Sequence, residues 1–227
     1  MSHQKPPPKI TRIRKVIIAV FAVAIIAIIA YGVFYTTDIG APSEFVEGKH
    51  YTIIEGSRPR AGTPVVVREY FSYACIHCKN FDPQVESWRE DVDDDVRFER
   101  TPVIFSPAWE ILARSYYTLA SLGALTENHT RLFRAIHENN RQFLSPQTVA
   151  DFVDGHGVTR DEFLRAYDLP DIRRAVREAD ELSRISRING VPSLVVADRY
   201  RVNMDEVSRA QAFDVVDFLV AKASEEG

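Results

Sequence analysis

Cysteine is nearly absent from this sequence, which has two in 227 residues, both within Cys75-Ile76-His77-Cys78. So small a number excludes a fold stapled by several disulfides and a zinc site built from four cysteines. Internal repeats and low-complexity tracts are absent as well. The two thiols therefore stand out as candidates for chemistry rather than for general stabilisation.

An excess of basic residues is also missing, since 28 Lys and Arg face 32 Asp and Glu. Five of the basic residues precede residue 16, which leaves 23 against 32 and a net charge of −9 for 16–227. Binding to nucleic acid requires a basic surface for the phosphates, so this balance argues against nucleic acid as a partner. The length beyond the N-terminal region suits one core, with room for an insertion.

Charge, proline and amide side chains are all missing from 16–35, a run of twenty residues. At about 1.5 Å per residue, this run would span the ~30 Å hydrocarbon core of a bilayer as a helix. The residues before it are basic and never acidic, which places the N-terminus in the cytoplasm and the rest across the membrane. A cleaved signal peptide is the alternative, but the run is long for one and no clean cleavage site follows in 36–41.

The boundaries of the predicted segments follow from these features. We predict a basic cytoplasmic tail at 1–15, a transmembrane anchor at 16–35 and a polar linker at 36–48. Residues 49–227 would form a globular domain with a helical insertion at about 107–186.

Hydrophobic patterning predicts strands interleaved with helices. Val65–Phe71 is a β-branched and aromatic run typical of a buried strand, and Phe81, Val85 and Trp88 form a helical stripe after the cysteines. Pro170 is expected to interrupt a helical region, and Pro102 suggests an edge strand. The other predicted strands are 49–55, 96–105, 193–197 and 200–202, and the other helices are near 109–122, 130–139, 146–155, 159–167, 172–186 and 209–223. This order indicates an α/β domain with a central mixed sheet.

The position of the cysteines predicts an unequal pair of thiols. Cys75 lies where a helix should begin, and the unpaired N–H groups and positive dipole end there favour a thiolate. His77 can donate a hydrogen bond or positive charge to the Cys75 sulfur, although a solvent-exposed polar role is the alternative. Cys78, one turn into the helix, should be more buried and act as the resolving thiol. Stabilising the Cys75 thiolate stabilises the reduced form, which makes the oxidised form a stronger oxidant.

Other readings of the motif fit less well. Zinc would need further ligands from His50, His129, His137, His156 or acids, none at ligand spacing. Haem attachment requires histidine directly after the second cysteine, where Lys79 stands. A structural disulfide closing so short a loop would restrain the unfolded chain little. No cofactor or metal is predicted.

Three segments resemble the DsbA family of thioredoxin-fold thiol:disulfide oxidoreductases. They are 47–51 (Glu-Gly-Lys-His-Tyr), 67–78, which contains the two cysteines, and Gly190-Val191-Pro192 before a strand. The resemblance covers roughly 45–218 and is looser in the helical insertion. It implies that Cys75 is the nucleophile that forms the mixed disulfide and that Cys78 resolves it.

The resemblance also implies roles for residues outside the motif. Val191-Pro192 would be a cis peptide facing the cysteines, although a trans proline is the ordinary case, and the Val191 backbone would pair with an extended substrate. Glu69 matches a buried acid that assists proton transfer from Cys78, with a structural, partly paired acid as the alternative. One departure is Ile76, where well-known members have proline, and it suggests a lower potential than that of a strong oxidase.

The sequence thus predicts a membrane-anchored, monomeric oxidoreductase of the bacterial inner membrane, with its catalytic domain in the periplasm. It would pass disulfides to reduced or unfolded exported proteins and be reoxidised by a quinone-linked membrane partner. A reductase or isomerase kept reduced by a membrane electron donor is one alternative. Another is a chaperone module that holds unfolded clients, with the cysteines secondary.

Overall fold

The computed structural model describes residues 9–36, 45–57 and 64–226, with side chains of the first helix described over 14–29. The chain divides into two units, Met1–Glu44 and Phe45–Gly227. The first contains helix α1, Lys9–Thr36. Within the described part of the chain, no helix combines the length and apolarity needed to cross a membrane. Most of the predicted linker and of the basic tail lies outside the described residues, as do the side chains of 30–35 in the predicted anchor.

The second unit is built on a five-stranded mixed sheet, as predicted. Its strands are β1 (Tyr51–Ile53), β2 (Val65–Phe71), β3 (Val96–Pro102), β4 (Ser193–Val196) and β5 (Tyr200–Val202), in the order β1-β5-β4-β2-β3. Strands β2 and β3 pair in parallel, and the other neighbours pair antiparallel. Strand β3 lies at an edge, where Pro102 is tolerated, and it ends there rather than at the predicted residue 105.

Helix α2 (Ile76–Asp91) follows β2, and five helices separate β3 from β4. These are α3 (Pro107–Ser121), α4 (Leu125–His137), α5 (Pro146–Val153), α6 (Arg160–Tyr167) and α7 (Pro170–Ile185), and α8 (Gln211–Glu225) closes the fold. Capping boxes at Ser145 and Thr159 begin α5 and α6. The helical region breaks at Pro170 as predicted, between α6 and α7, and Pro170 is itself the first residue of α7, two residues before the predicted start at 172. Proline is favoured at a first helical position, where its missing N–H needs no partner.

Two apolar cores pack against the end of β2 and the start of α2. One joins the sheet to α2 and α8 and includes Val67, Phe81 and Leu219, all fully buried. The other lies among the helices after β3 and includes Phe71, Cys78 and Phe163. Strand β2 is buried at every position, which explains its nearly continuous apolar sequence. The end of β2 and the start of α2 are thereby fixed by packing on both sides.

Candidate active site

The two cysteines lie at the N-terminus of α2, directly after the central strand. A tight turn through Ser72 and Tyr73 connects β2 to the helix, and the Cys75 N–H donates to the Ser72 carbonyl over 3.0 Å. Cys75 is the N-cap residue of α2 and is half-buried, whereas Cys78 is completely buried. Both are free thiols. An incoming reagent therefore reaches Cys75 and not Cys78.

The surroundings lower the pKa of Cys75 to about 6 from an ordinary 9.0. The largest cause is a hydrogen bond from the Cys78 thiol, which burial opposes. The backbone N–H groups of Cys78 and His77 and the charge of His77 add to it, as expected at a helix N-terminus. Burial, followed by the nearby Cys75, raises the pKa of Cys78. The pair is thus split into a thiolate nucleophile and a thiol that stays protonated.

Of the two contributions expected from the His77 side chain, its positive charge acts on Cys75 and its hydrogen bond does not form. Its side chain is exposed, and among the described residues its imidazole donates no hydrogen bond to Cys75. Its backbone N–H and its charge both lower the pKa of Cys75, with the charge the smaller of the two. The expected hydrogen bond fails because the third position of the motif points outward from α2, while the sulfur lies at the helix end.

The Val191-Pro192 peptide bond is cis, as the resemblance implies. In its protonated form the Cys75 thiol donates to the Val191 carbonyl over 3.3 Å, so the loop before β4 lies against the reactive sulfur. A groove of about 580 Å³ runs beside this loop. Its lining is mixed in charge and includes His77, Pro192, Arg201, Asn203, Glu206 and Arg209. Val191, whose carbonyl contacts the Cys75 sulfur, is part of this lining, so the groove begins next to the reactive residue.

Glu69 lies on β2 and is 2% exposed. Its carboxylate accepts from Arg100 of β3 over 2.7 Å, and Arg100 also donates to Asp82 and Glu86 of α2 at 2.8 and 2.7 Å. Burial raises the pKa of Glu69, and the charge of Arg100 opposes this. The direct contacts of Glu69 are therefore those of a paired, structural acid. It is also close enough to Cys78 for its charge to contribute, as the smallest cause, to the raised pKa of that thiol.

Asp82 extends this pairing into a longer polar chain. It accepts from His129 of α4 over 3.0 Å, and the other ring nitrogen of His129 lies 2.8 Å from the Tyr73 hydroxyl. Ligand atoms of Asp82, Glu86 and His129 come within 4.8 Å of one another, a spacing the sequence did not suggest. However, the Arg100 guanidinium already bonds both carboxylates and supplies the positive charge that a metal ion would bring.

Sequence reasoning missed Tyr73, Asp82, Arg100 and His129 as parts of the site. They come from the turn, α2, β3 and α4, and only the fold brings them together. The one local signal is a charged residue inside a predicted strand or on the buried stripe of a helix, since such a residue requires a partner. Asp82, one residue after the buried Phe81, fits that description.

Comparison with known proteins gives a consistent result. The DSBA-like thioredoxin domain family matches residues 66–217. The thiol:disulfide interchange protein DsbA of Azotobacter vinelandii is 31% identical over 182 residues, which cover 79% of this chain and 85% of that protein. The DsbA of Pseudomonas aeruginosa is 30% identical over 181 residues, covering 79% and 86%. The crystal structure of oxidoreductase DsbA from Xylella fastidiosa superposes with a TM-score of 0.73 at 32% identity, covering 78% of this chain and 96% of that one.

Proposed function

The chain belongs to the DSBA-like thioredoxin domain family of thiol:disulfide oxidoreductases, and from that premise we propose that it donates disulfides to exported proteins. The lowered pKa of Cys75, about 6, is the observation that supports transfer of the disulfide from enzyme to substrate. Stabilising this thiolate favours the dithiol form of the enzyme, so its disulfide is readily given away.

The exchange proceeds in two displacements at sulfur. A substrate thiolate attacks Cys75 of the enzyme disulfide, a bond forms between the two sulfurs, and Cys78 leaves and takes up a proton. The substrate's second thiolate then attacks the substrate's first sulfur, which is bonded to Cys75 in the mixed disulfide, and Cys75 leaves as a thiolate. Two electrons pass from substrate to enzyme. The half-buried Cys75 and fully buried Cys78 make Cys75 the sulfur that is attacked.

Val191 and Pro192 are proposed to position the substrate. The groove beside them suits an extended segment that pairs with the Val191 backbone by strand addition. Glu69 is proposed to influence the proton that Cys78 takes up, through its charge, since its direct hydrogen bond goes to Arg100.

We further propose that residues 16–35 hold the domain at the bacterial inner membrane, with the catalytic unit in the periplasm and a quinone-linked membrane partner as reoxidant. The charge-free sequence and the exposed apolar side chains of 16–29 support this. A tether would raise the local concentration of enzyme near that partner and near emerging chains. Membrane fractions washed with alkaline carbonate should retain the full chain. Release into the wash would refute the anchor without touching the redox proposal.

Equilibration of the full chain with glutathione buffers tests the direction. Potentials are about −120 mV for the strong oxidant DsbA and about −270 mV for thioredoxin. The Cys75 pKa of about 6 lies between the values of about 3.5 for DsbA and about 7 for thioredoxin, so we expect a potential between these two. A potential at or below about −270 mV would refute the donor role and favour the reductase. Full activity in cells of Cys75→Ala would instead favour the client-holding module.

A further inference from the structure

Tyr73, two residues before Cys75, has no part in the chemistry described above, yet α4 holds it at both ends. Its hydroxyl lies 2.8 Å from Nδ1 of His129, and its backbone carbonyl accepts from Nε2 of His137 over 2.9 Å. The side chain is 1% exposed. The residue that leads the chain into the active site is therefore bound to a helix far along the sequence.

The hydrogen-bond pattern determines the tautomer of His129. Although burial opposes ionisation, the hydrogen bond from His129 and the charge of Arg100 lower the pKa of Asp82, so Asp82 is an acceptor only. Nε2 of His129 must then carry the proton donated to Asp82. Burial lowers the pKa of His129, so the ring is neutral and Nδ1 is an acceptor for the Tyr73 hydroxyl. One arrangement of protons therefore satisfies both the Tyr73–His129 and the His129–Asp82 hydrogen bonds.

From Asp82 the hydrogen-bond network continues to Arg100 and Glu69. It therefore joins the active-site turn, α4, α2 and β3 through fully directional bonds in a buried setting, where such bonds are strongest. A salt bridge of 2.8 Å between Lys79 and Glu138 adds a second link between α2 and the end of α4.

We propose that His129 is a positioning residue for disulfide exchange, which fixes the turn bearing Cys75 against α2 by accepting from Tyr73 and donating to Asp82. The role serves exchange in either direction, so it rests on the family's activity and not on the proposed direction.

The consequence concerns the alignment of donors at the reactive sulfur. The N–H groups of His77 and Cys78 stabilise the Cys75 thiolate only while the turn and the first turn of α2 keep their relative orientation. Losing the Tyr73–His129 bond frees the turn and leaves a buried hydroxyl or ring nitrogen unpaired. The donors then point less directly at the sulfur, and the thiolate becomes less stable.

Two single variants of the full chain and their combination test this role. Tyr73→Phe removes one oxygen, and His129→Gln keeps a donor for Asp82 while changing the acceptor for Tyr73. The matched control is His156→Gln, since the His156 side chain is 43% exposed and the only hydrogen bond of its ring among the described residues is with the exposed Glu127. The readout is the pKa of Cys75, from the ultraviolet absorbance of the thiolate in the reduced protein, with urea unfolding measured in parallel.

Each single variant should raise the Cys75 pKa by about half to one unit, the size expected for weakening one hydrogen bond. The double variant should raise it no further, and His156→Gln should leave it unchanged. Variants that lose stability but keep the wild-type Cys75 pKa would overturn the proposal, because a merely structural residue behaves that way. Additive effects, or an effect from only one variant, would also overturn it. If His129→Gln does not fold, Tyr73→Phe is measured alone. A raised Cys75 pKa then supports the proposal, and an unchanged one overturns it.

Discussion

The lowered pKa of Cys75 should make the stability of the reduced protein depend on pH. A thiol whose pKa falls from 9.0 unfolded to about 6 folded stabilises the fold fully above pH 9, and this stabilisation is lost as pH falls through 6. Three pKa units correspond to about 4 kcal/mol, and solvent screening of a half-buried sulfur reduces this to about 2 kcal/mol. The oxidised protein has no thiol to titrate and lacks the effect.

Urea unfolding of the reduced and oxidised forms between pH 5 and pH 8.5 measures this difference, and other titrating groups cancel because both forms share them. The stability of the reduced form relative to the oxidised form should rise steadily over this range, most of all above pH 6. Reduced Cys75→Ala should show no such rise. A flat or falling difference between pH 6 and pH 8.5 would refute the assignment of Cys75 as the stabilised thiolate. The range stops below pH 9, since the raised pKa of Cys78 acts in the opposite sense beyond it.

Three further predictions concern the site and the core. His77→Ala should raise the pKa of Cys75 less than Cys78→Ala does, measured by thiolate absorbance, because the His77 charge is a smaller cause than the Cys78 hydrogen bond; a larger effect of His77→Ala would contradict this ranking. Arg100→Met should lower the free energy of unfolding by about 3–5 kcal/mol by leaving Glu69 and Asp82 buried without their cation, whereas the exposed Arg97→Met should change it by less than about 1 kcal/mol. Similar losses from both arginine variants would mean that the buried ion pairs are not needed for stability. Phe81→Ala should lose about 3–5 kcal/mol in the same urea assay, because Phe81 is fully buried and stacked on Phe213 with ring centroids 5.4 Å apart. The control is Phe105→Ala, at 48% exposure, and a loss from Phe81→Ala no greater than from this control would show that the core packing is misassigned.

Local signals in the sequence were sufficient to predict strand β2 and the starts of α5 and α6. The run at 65–71 predicts β2 with its observed bounds, and Ser145 and Thr159 begin helices because a capping box satisfies backbone donors within four residues. The burial of Cys78 also follows from its place one turn into α2. Such features depend on neighbours close in sequence, which is why they could be predicted.

The features that could not be predicted depend on contacts between distant segments. Tyr73 and His129 are 56 residues apart, and no periodicity or cap relates them. Arg100 is one charge within the predicted strand 96–105, and its three carboxylate partners come from β2 and α2. The cis bond at Pro192 came from family resemblance alone, since an isolated X-Pro sequence favours trans. Tertiary packing decides all three.

The redox state of Cys75 and Cys78 in living cells tests the proposed direction most directly. Cells expressing the full chain would be quenched with acid, and free thiols would be labelled with a reagent that adds mass. A Cys75→Ser, Cys78→Ser double variant supplies the unlabelled reference. We expect most of the protein to be in the disulfide form and to resist labelling. Protein found mostly as the dithiol, labelled at both cysteines, would contradict the proposed donor role.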